Sequence, residues 1–311
     1  ARSAASAPVP SFIENGLDSM RNFMRLESST QLVLTQPIDV EPSEAFAPRS
    51  GIAAESEVDG MALRRSGDRV VPLTALHLRP ERVTRMLVLI ACALLVAHAG
   101  VVVAFYFDRP TVKGLVPLFD IEAELNIPTF FSTLILLIAA SLTAVIHTLE
   151  RRLNAAHAVM WAVLAGGFFF MAFDEAFSVH DKYWGPFARR MFSGVDFGGP
   201  FEFSWVVVGI PLVAILGLLF LPFLRSLPSL LRRRFIIAGA VFLSGAIAIE
   251  MLSANWSATV GTIVGYKLIA GVEEAFEMAG IIIFIWAAMH HLADRYGSIL
   301  LDFKIDHSPG Q

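Results

Sequence analysis

The chain has 311 residues, 55% of them hydrophobic, and a formal net charge of −4. Its mean hydropathy is +0.63, and soluble domains are usually only about 45–50% apolar. The apolar residues are concentrated in long runs, which indicates membrane-spanning helices rather than a large soluble core. The slightly acidic charge argues against a nucleic-acid partner, and the single cysteine, Cys92, excludes an internal disulfide.

The first 82 residues differ from the rest because they are rich in Ala, Ser, Pro and Glu. Such a composition cannot bury enough apolar surface to fold alone, so we predict a largely extended cytoplasmic tail. Within it, apolar residues between Ser11 and Leu26 recur at helical spacing. That pattern predicts a short amphipathic helix that lies on the bilayer or docks on a partner, and a loosely ordered segment is the alternative. We therefore expect membrane-protein partners to bind through the tail.

Residues 83–295 are predicted to form an all-α, polytopic membrane domain with about six transmembrane helices, followed by a cytoplasmic tail over 296–311. Each apolar run has about 18–22 residues, close to the roughly 20 that cross the hydrocarbon core. The predicted spans are Met86–Phe107, Pro128–His147, Ala158–Val179, Phe203–Leu224, Phe235–Leu252 and Leu268–Met289.

The distribution of basic residues predicts the orientation of this domain. One set of inter-span segments and flanks carries 11 Lys and Arg, and the opposite set carries 6. Because the more basic side of a membrane protein usually faces the cytoplasm, both termini are predicted to be cytoplasmic. We expect an inner (plasma) membrane location in a bacterium.

Six carboxylic acids fall within the predicted spans, and no Lys or Arg does. A charged side chain at the centre of a bilayer costs about 2.5–3.5 kcal/mol on insertion scales, so these acids need to be neutralised. In the predicted topology all six lie in the outward half of the membrane, with His98 at a similar depth. The six are Asp174, Glu175, Glu250, Glu273, Glu274 and Glu277.

Three kinds of neutralising group are compatible with this pattern. The first is a cation, and carboxylates with one or two imidazoles suit Ca²⁺, Mn²⁺, Mg²⁺ or iron. The second is protons held by mutually repelling carboxyls. The third is a basic side chain from an outer segment, of which we consider Arg109, Lys182, Arg189 and Arg190. As metal ligands we predict Asp174, Glu175, His180, Asp181, Glu250, Glu273, Glu274 and Glu277, with His98 or His180 completing the set.

The histidines also allow a different cofactor. His98 is buried in the first predicted span, where it would either hydrogen-bond to a neighbouring helix or bind a chlorophyll-type pigment. Four further histidines lie near the cytoplasmic ends of their helices, where a facing pair could hold a haem. These four are His147, His157, His290 and His291.

Two segments carry a resemblance to a group of proteins. The first runs from Asp174 and Glu175 through Ser178 to His180 and Asp181, and the second contains Glu273, Glu274, Glu277, Met278 and Gly280. Both are similar to segments of uncharacterised bacterial multipass membrane proteins with an Asp-Glu-x-x-Ser-x-His segment and a late Glu-Glu-x-x-Glu-Met-x-Gly helix. The resemblance covers the membrane part and implies a role for these residues without implying an activity.

The leading hypothesis from the sequence is an integral membrane protein whose outward carboxylate and histidine cluster binds a cation or metal. The main rival is a non-catalytic accessory subunit of a larger membrane complex, in which the tail clamps partners and the acids are structural. A proton- or ion-coupled transporter or a lipid-modifying enzyme is the third. We favour a non-enzymatic role, because the phosphate-binding, serine-hydrolase and zinc-protease motifs are absent.

Overall fold

The computed structural model of the protein describes residues 31–34, 79–109, 111–194, 197–297 and 299–302. The chain divides into two compact units, one formed by residues 78–292 and the other by residues 1–77 with 293–311. In the second unit, strand β1 (Gln31–Leu34) pairs in antiparallel register with β2 (Ile299–Asp302), so that Gln31 lies opposite Asp302. This strand pairing was not predicted from the sequence. The amphipathic helix predicted between Ser11 and Leu26 lies outside the described residues.

The unit formed by residues 78–292 is helical throughout its regular structure, as predicted. Its long helices are joined on one side by short helical pieces, including a 3₁₀ turn at Val112–Gly114, a π-helical segment at His180–Trp184 and a 3₁₀ turn at Gly199–Phe201. The α-helices are α1 (Pro80–Tyr106), α2 (Leu115–Phe119), α3 (Ile127–Arg152), α4 (Ala158–Phe177), α5 (Gly185–Met191), α6 (Val206–Ser226), α7 (Ser229–Leu243), α8 (Glu250–Thr259) and α9 (Ile263–Tyr296).

Local signals explain where several of these helices begin and end. Pro80 opens α1, and a proline is favoured in the first turn because its missing N–H would lack an intrahelical partner there. At the start of α3 the side chain of Asn126 accepts a hydrogen bond from the backbone N–H of Thr129. Helix α4 ends at Ser178, which adopts a left-handed backbone conformation with φ of 50°.

Five helical stretches in the described part of the chain are long and apolar enough to cross a membrane. They are α1, α3, α4, α6 and the continuous stretch Ser229–Thr259, in which a π-helical segment at Ser244–Ile249 joins α7 to α8. The prediction of a largely helical chain with several helices long and apolar enough to span a membrane is confirmed. The sixth predicted span, Leu268–Met289, lies inside the 34-residue α9 and stays a prediction.

Large apolar side chains cover the outside of these helices. Leu89 of α1, Val159 of α4 and Leu218 of α6 are each more than 60% exposed. Soluble monomers rarely leave such extensive apolar surface in contact with water. The exposed surface therefore has the character expected of a lipid-facing one.

Close backbone packing holds α9 against its neighbours, and glycines make that packing possible. A Cβ atom built on Gly280 would lie 2.6 Å from the backbone nitrogen of Phe242 in α7. One built on Gly245, in the π-helical segment, would lie 2.7 Å from the carbonyl oxygen of Glu273. Both distances are shorter than real Cβ contacts, so α9 approaches the α7–α8 stretch this closely only because these two residues lack a side chain.

Candidate functional site

An acidic cavity of about 150 Å³ lies at one end of the long helices. This is the end that also carries the 3₁₀ turns and the short helices α2 and α5. Three helices, α4, α8 and α9, contribute carboxylates to it, and the segment between α2 and α3 contributes two more. The titratable residues that line it are Glu122, Glu124, Glu175, His180, Asp181, Glu250, Tyr266, Glu273 and Glu274.

Asp174 and His180 form a doubly bonded pair at the edge of this cavity. One oxygen of the Asp174 carboxylate accepts a hydrogen bond from the backbone N–H of His180 at 2.7 Å, and the other lies 2.8 Å from the ring atom Nδ1. Burial opposes a positive charge on the ring, but the hydrogen bond to Asp174 and the charge of Asp181 outweigh it and raise the pKa of His180 to about 9. Asp174 therefore organises the end of α4 and holds a protonated His180 at the cavity wall.

Two cavity glutamates are oriented by neutral donors. The indole N–H of Trp205 donates to Oε1 of Glu250 at 2.6 Å, and Glu250 is only 8% exposed. The hydroxyl of Ser253 lies 3.2 Å from Oε2 of Glu273. Ser253 follows Glu250 by one turn of α8, so the same helix supplies an acid and a donor for the acid on α9. These donors orient the two glutamates and supply no positive charge.

Lysines close to the cavity are bonded to acids of the outer segment instead. The ammonium of Lys267, which is 4% exposed, lies 2.6 Å from Asp120 and 2.7 Å from Glu122. Lys182 donates to Glu124 at 2.6 Å, and this hydrogen bond holds the pKa of Glu124 below its ordinary value. Glu175, Glu250, Glu273 and Glu274 form no ion pair with a lysine or arginine of the described residues.

The outer-segment bases that the sequence analysis considered do not reach these four glutamates. Lys182 is bonded to Glu124, as described above. Arg189 donates to the hydroxyl of Ser204 and to the carbonyl oxygen of Glu202. Lys267, which lies just before the predicted sixth span, was not among those bases. Two features of the sequence could have pointed to Lys267 as an ion-pair partner. It lies near the start of a helix, and Asp120, Glu122 and Glu124 alternate along an outer segment on the same side of the membrane domain.

His98 has a structural role in this arrangement. Its Nε2 lies 2.9 Å from the carbonyl oxygen of Lys267, and its Nδ1 accepts a hydrogen bond from the backbone N–H of Ile121 at 3.1 Å. The ring also packs against Gly271, where a Cβ atom would lie 2.9 Å from Cδ2. Both ring nitrogens therefore have backbone partners, as in the alternative that His98 bonds to neighbouring segments, and binding of a metal or pigment by His98 stays a prediction.

The structure brings together most of the predicted site residues, with two exceptions besides His98. Glu175, His180, Asp181, Glu250, Glu273 and Glu274 line one cavity. Asp174 does not line the cavity but bonds to His180, which does. Glu277 lies one helical turn after Glu273, with its Cγ close to Gly245. Sequence reasoning missed the contributions of Ser253, Phe203, Tyr266, Glu122 and Glu124 to the lining.

The cavity acids do not converge as metal ligands usually do. Within the described ranges, no group of three or more His, Cys, Asp or Glu side chains is close enough together to hold a metal ion. The predicted metal ligands therefore lie around one cavity without forming a ready coordination shell. A metal ion would need these side chains to move together.

The histidines at the opposite ends of the helices have local partners. Nδ1 of His147 lies 2.8 Å from the carbonyl oxygen of Ala158. His291 stacks on Trp161 with ring centroids 5.5 Å apart, and Nε2 of His290 lies 3.3 Å from Glu81. These contacts join helix ends, and haem binding by these histidines stays a prediction.

Residues 86–292 match the model of a protein family described as a domain of unknown function, DUF8692. The match covers about two thirds of the chain, so the protein belongs to this family. The matched range contains every residue that lines the cavity. No curated protein and no solved structure matches the chain.

Proposed function

We propose that this protein is an integral membrane protein that binds a cation in the acidic cavity. The observation that carries the proposal is the lining of that cavity. Four glutamates from three helices, Glu175, Glu250, Glu273 and Glu274, face it without an ion-pair partner among the described lysines and arginines. Ionised carboxylates that share a buried cavity repel one another, and a cation that enters the cavity offsets that repulsion.

The neighbouring bases support this reading because they are already engaged. Lys182 and Lys267 are held by Glu124 and by Asp120 with Glu122, so moving either lysine into the cavity would break existing ion pairs. His180 supplies one positive charge at the wall, and Asp174 and Asp181 surround it. These two carboxylates therefore already compensate the charge of His180, which leaves it unable to serve as the counter-charge of the four glutamates.

The proposed setting is a bacterial inner membrane, crossed six times, with both termini in the cytoplasm and the cavity opening to the outside. Five long apolar helices and an apolar outer surface support insertion in a membrane. The excess of basic residues at the other helix ends supports the orientation. A cation would then reach the cavity from the external solution.

Thermal unfolding in detergent tests the proposal. The purified protein is heated with Na⁺, K⁺, Mg²⁺, Ca²⁺, Mn²⁺, Fe²⁺ and alkylammonium ions at constant ionic strength. We expect at least one cation to raise Tm in a concentration-dependent way, because a ligand that binds only the folded state stabilises it. The Glu274→Gln and Glu273→Gln variants should lose that increase, and the control Glu81→Gln, at the far end of α1, should keep it.

A wild-type protein whose Tm responds equally to every salt would overturn the proposal. Glutamates held neutral by protons alone would give that result. The accessory-subunit hypothesis depends on the N-terminal tail, of which the structure describes only residues 31–34 and 79–82, and it stays a prediction. Mild-detergent purification followed by mass spectrometry of copurifying chains tests it separately.

A further inference from the structure

We propose that the cation bound in the cavity is a small organic ammonium ion, a primary amine with a short alkyl chain. This inference rests on the proposed function and specifies the class of cation. An ammonium group offers three hydrogen-bond donors and one positive charge, and its alkyl chain needs an apolar or aromatic wall.

Glu250 provides an acceptor that has no donor. Its side chain is 8% exposed and lines the cavity, and its Oε1 is taken by the indole N–H of Trp205. Its Oε2 has no hydrogen-bond donor among the described residues. This oxygen is not among the fully buried, unpartnered side-chain atoms of the described residues, so it faces accessible space in the cavity, where an N–H group of a ligand can donate to it.

Aromatic rings form part of the wall beside these carboxylates. Phe203 and Tyr266 both line the cavity, and their ring centroids lie 6.3 Å apart with the planes inclined by 61°. The face of an aromatic ring attracts an ammonium group and also contacts an alkyl chain. Hard divalent cations, by contrast, bind through shells of oxygen atoms.

The same protein already binds one ammonium group in this way. Nζ of Lys267 lies between Asp120 and Glu122 and 4.7 Å from the centroid of the Phe105 ring. Tyr266, the residue before it, lines the cavity. This region therefore holds the buried ammonium of Lys267 with two carboxylates and an aromatic ring. The cavity also has carboxylates beside aromatic rings, but no lysine of the described residues lines it.

The size and spread of the cavity fit a ligand of several atoms. Its volume is about 150 Å³, which is on the order of five times the share of one water molecule in the liquid. No three of the described carboxylate and histidine side chains converge closely enough for a metal ion. Separated carboxylates around a space of this size suit a ligand of about six heavy atoms better than a single-atom ion.

Isothermal titration calorimetry of the full-length protein in detergent tests the inference. The ligands are butylamine, its uncharged counterpart 1-butanol, and the chlorides of Mg²⁺, Ca²⁺ and Mn²⁺, all at pH 7.5 and constant ionic strength. We expect saturable binding of butylamine and none of butanol. Glu250→Gln should weaken butylamine binding at least about tenfold, because a charge-assisted hydrogen bond is lost.

Two further variants make the result independent of folding defects. Phe203→Leu keeps the apolar volume and removes the ring, so it should weaken butylamine binding several-fold. Glu81→Gln, outside the cavity, should bind butylamine as the wild type does. Size-exclusion profiles identify any variant that fails to fold, and Glu273→Gln then replaces Glu250→Gln.

Binding of a divalent metal ion without butylamine would overturn this inference and leave the proposed function standing. Equal binding of butanol and butylamine would overturn the inference, because the site would then recognise only the alkyl chain. Binding of none of the cations, together with a Tm that no cation changes, would overturn both.

Discussion

The ammonium of Lys267 lies 2.6 Å from Oδ2 of Asp120, although 147 residues separate the two in the chain. The pair joins the start of α9 to the segment between α2 and α3, and its side chains are 5% and 9% exposed. Glu122, which lines the cavity, binds the same ammonium. This buried contact therefore fixes one wall of the cavity to α9.

Replacing Lys267 with methionine should destabilise the protein strongly. The variant leaves Asp120 buried without a counter-charge, and removing one partner of a buried ion pair costs about 3–5 kcal/mol. Lys182→Met removes a comparable pair whose side chains are 49% and 40% exposed, and such surface pairs contribute about 0–1 kcal/mol. Tm measured in detergent for the two variants tests the difference, and equal losses would contradict the assignment of Lys267 as the buried anchor.

The pair formed by Asp174 and His180 should make stability depend on pH. The pKa of His180 is raised from 6.5 to about 9 in the folded protein. A raised pKa stabilises the folded state fully below pH 6.5, and this contribution is lost as the pH rises through about 9. Asp174→Asn keeps an acceptor for the backbone N–H and removes the charge.

We therefore expect the Tm difference between wild type and Asp174→Asn to be largest near pH 6 and to shrink above pH 9. A Tm series at pH 6, 7, 8, 9 and 10 measures it. The exposed acid variant Asp294→Asn, at the other end of α9, serves as the control for general pH effects. A difference that grows with rising pH would show that His180 is not held in its charged form by Asp174.

The close approach of α9 to its neighbours should make two glycines intolerant of a methyl group. Gly245→Ala and Gly280→Ala place Cβ atoms 2.6–2.7 Å from backbone atoms, and overpacking costs about 1–3 kcal/mol. Gly239→Ala, in α7, meets nothing within 4 Å and should be neutral or stabilising by about 0.5–1 kcal/mol. Lower Tm for the first two variants and not for the third would agree with this packing.

Cysteine labelling can test the proposed orientation of the membrane domain. In a Cys92→Ser background, Gly194→Cys lies on the cavity side, between α5 and α6, and Leu153→Cys lies between α3 and α4. Both positions are exposed. We expect a membrane-impermeant maleimide to label Gly194→Cys in intact spheroplasts and Leu153→Cys only after lysis. The reverse labelling pattern would contradict an outward cavity.

The removal of Trp205's indole donor should alter the site without unfolding the protein. Trp205→Phe keeps an aromatic ring and leaves Glu250 with no hydrogen-bond donor in the cavity wall. Because a buried carboxylate then loses its only donor, we expect Tm to fall by an amount equivalent to about 1–3 kcal/mol. The same substitution in the Glu250→Gln background should cost less, since an amide is less costly to leave partly bonded than a carboxylate.

Much of the candidate site followed from residue spacing and helix rise. Glu175, Glu250, Glu273 and Glu274 were expected at one level of the helices, and they line a common cavity. Glu277 was expected beside Glu273, because residues four apart share a helix face. Glu273 and Glu277 both lie against Gly245 in the α7–α8 stretch, and of the two only Glu273 lines the cavity.

The sequence by itself determined the helical class, the apolar stretches and the level at which the carboxylates lie, because these depend on local composition and on a constant rise per residue. Only the tertiary structure decided which acid each lysine binds, that Asp174 orients His180, and that His98 is occupied by backbone groups. Some of these contacts join residues that are distant in the chain, such as Lys267 and Asp120. The contact between Asp174 and His180 depends on the irregular backbone at Ser178. Their energies come from packing between segments, which no short-range pattern in the sequence encodes.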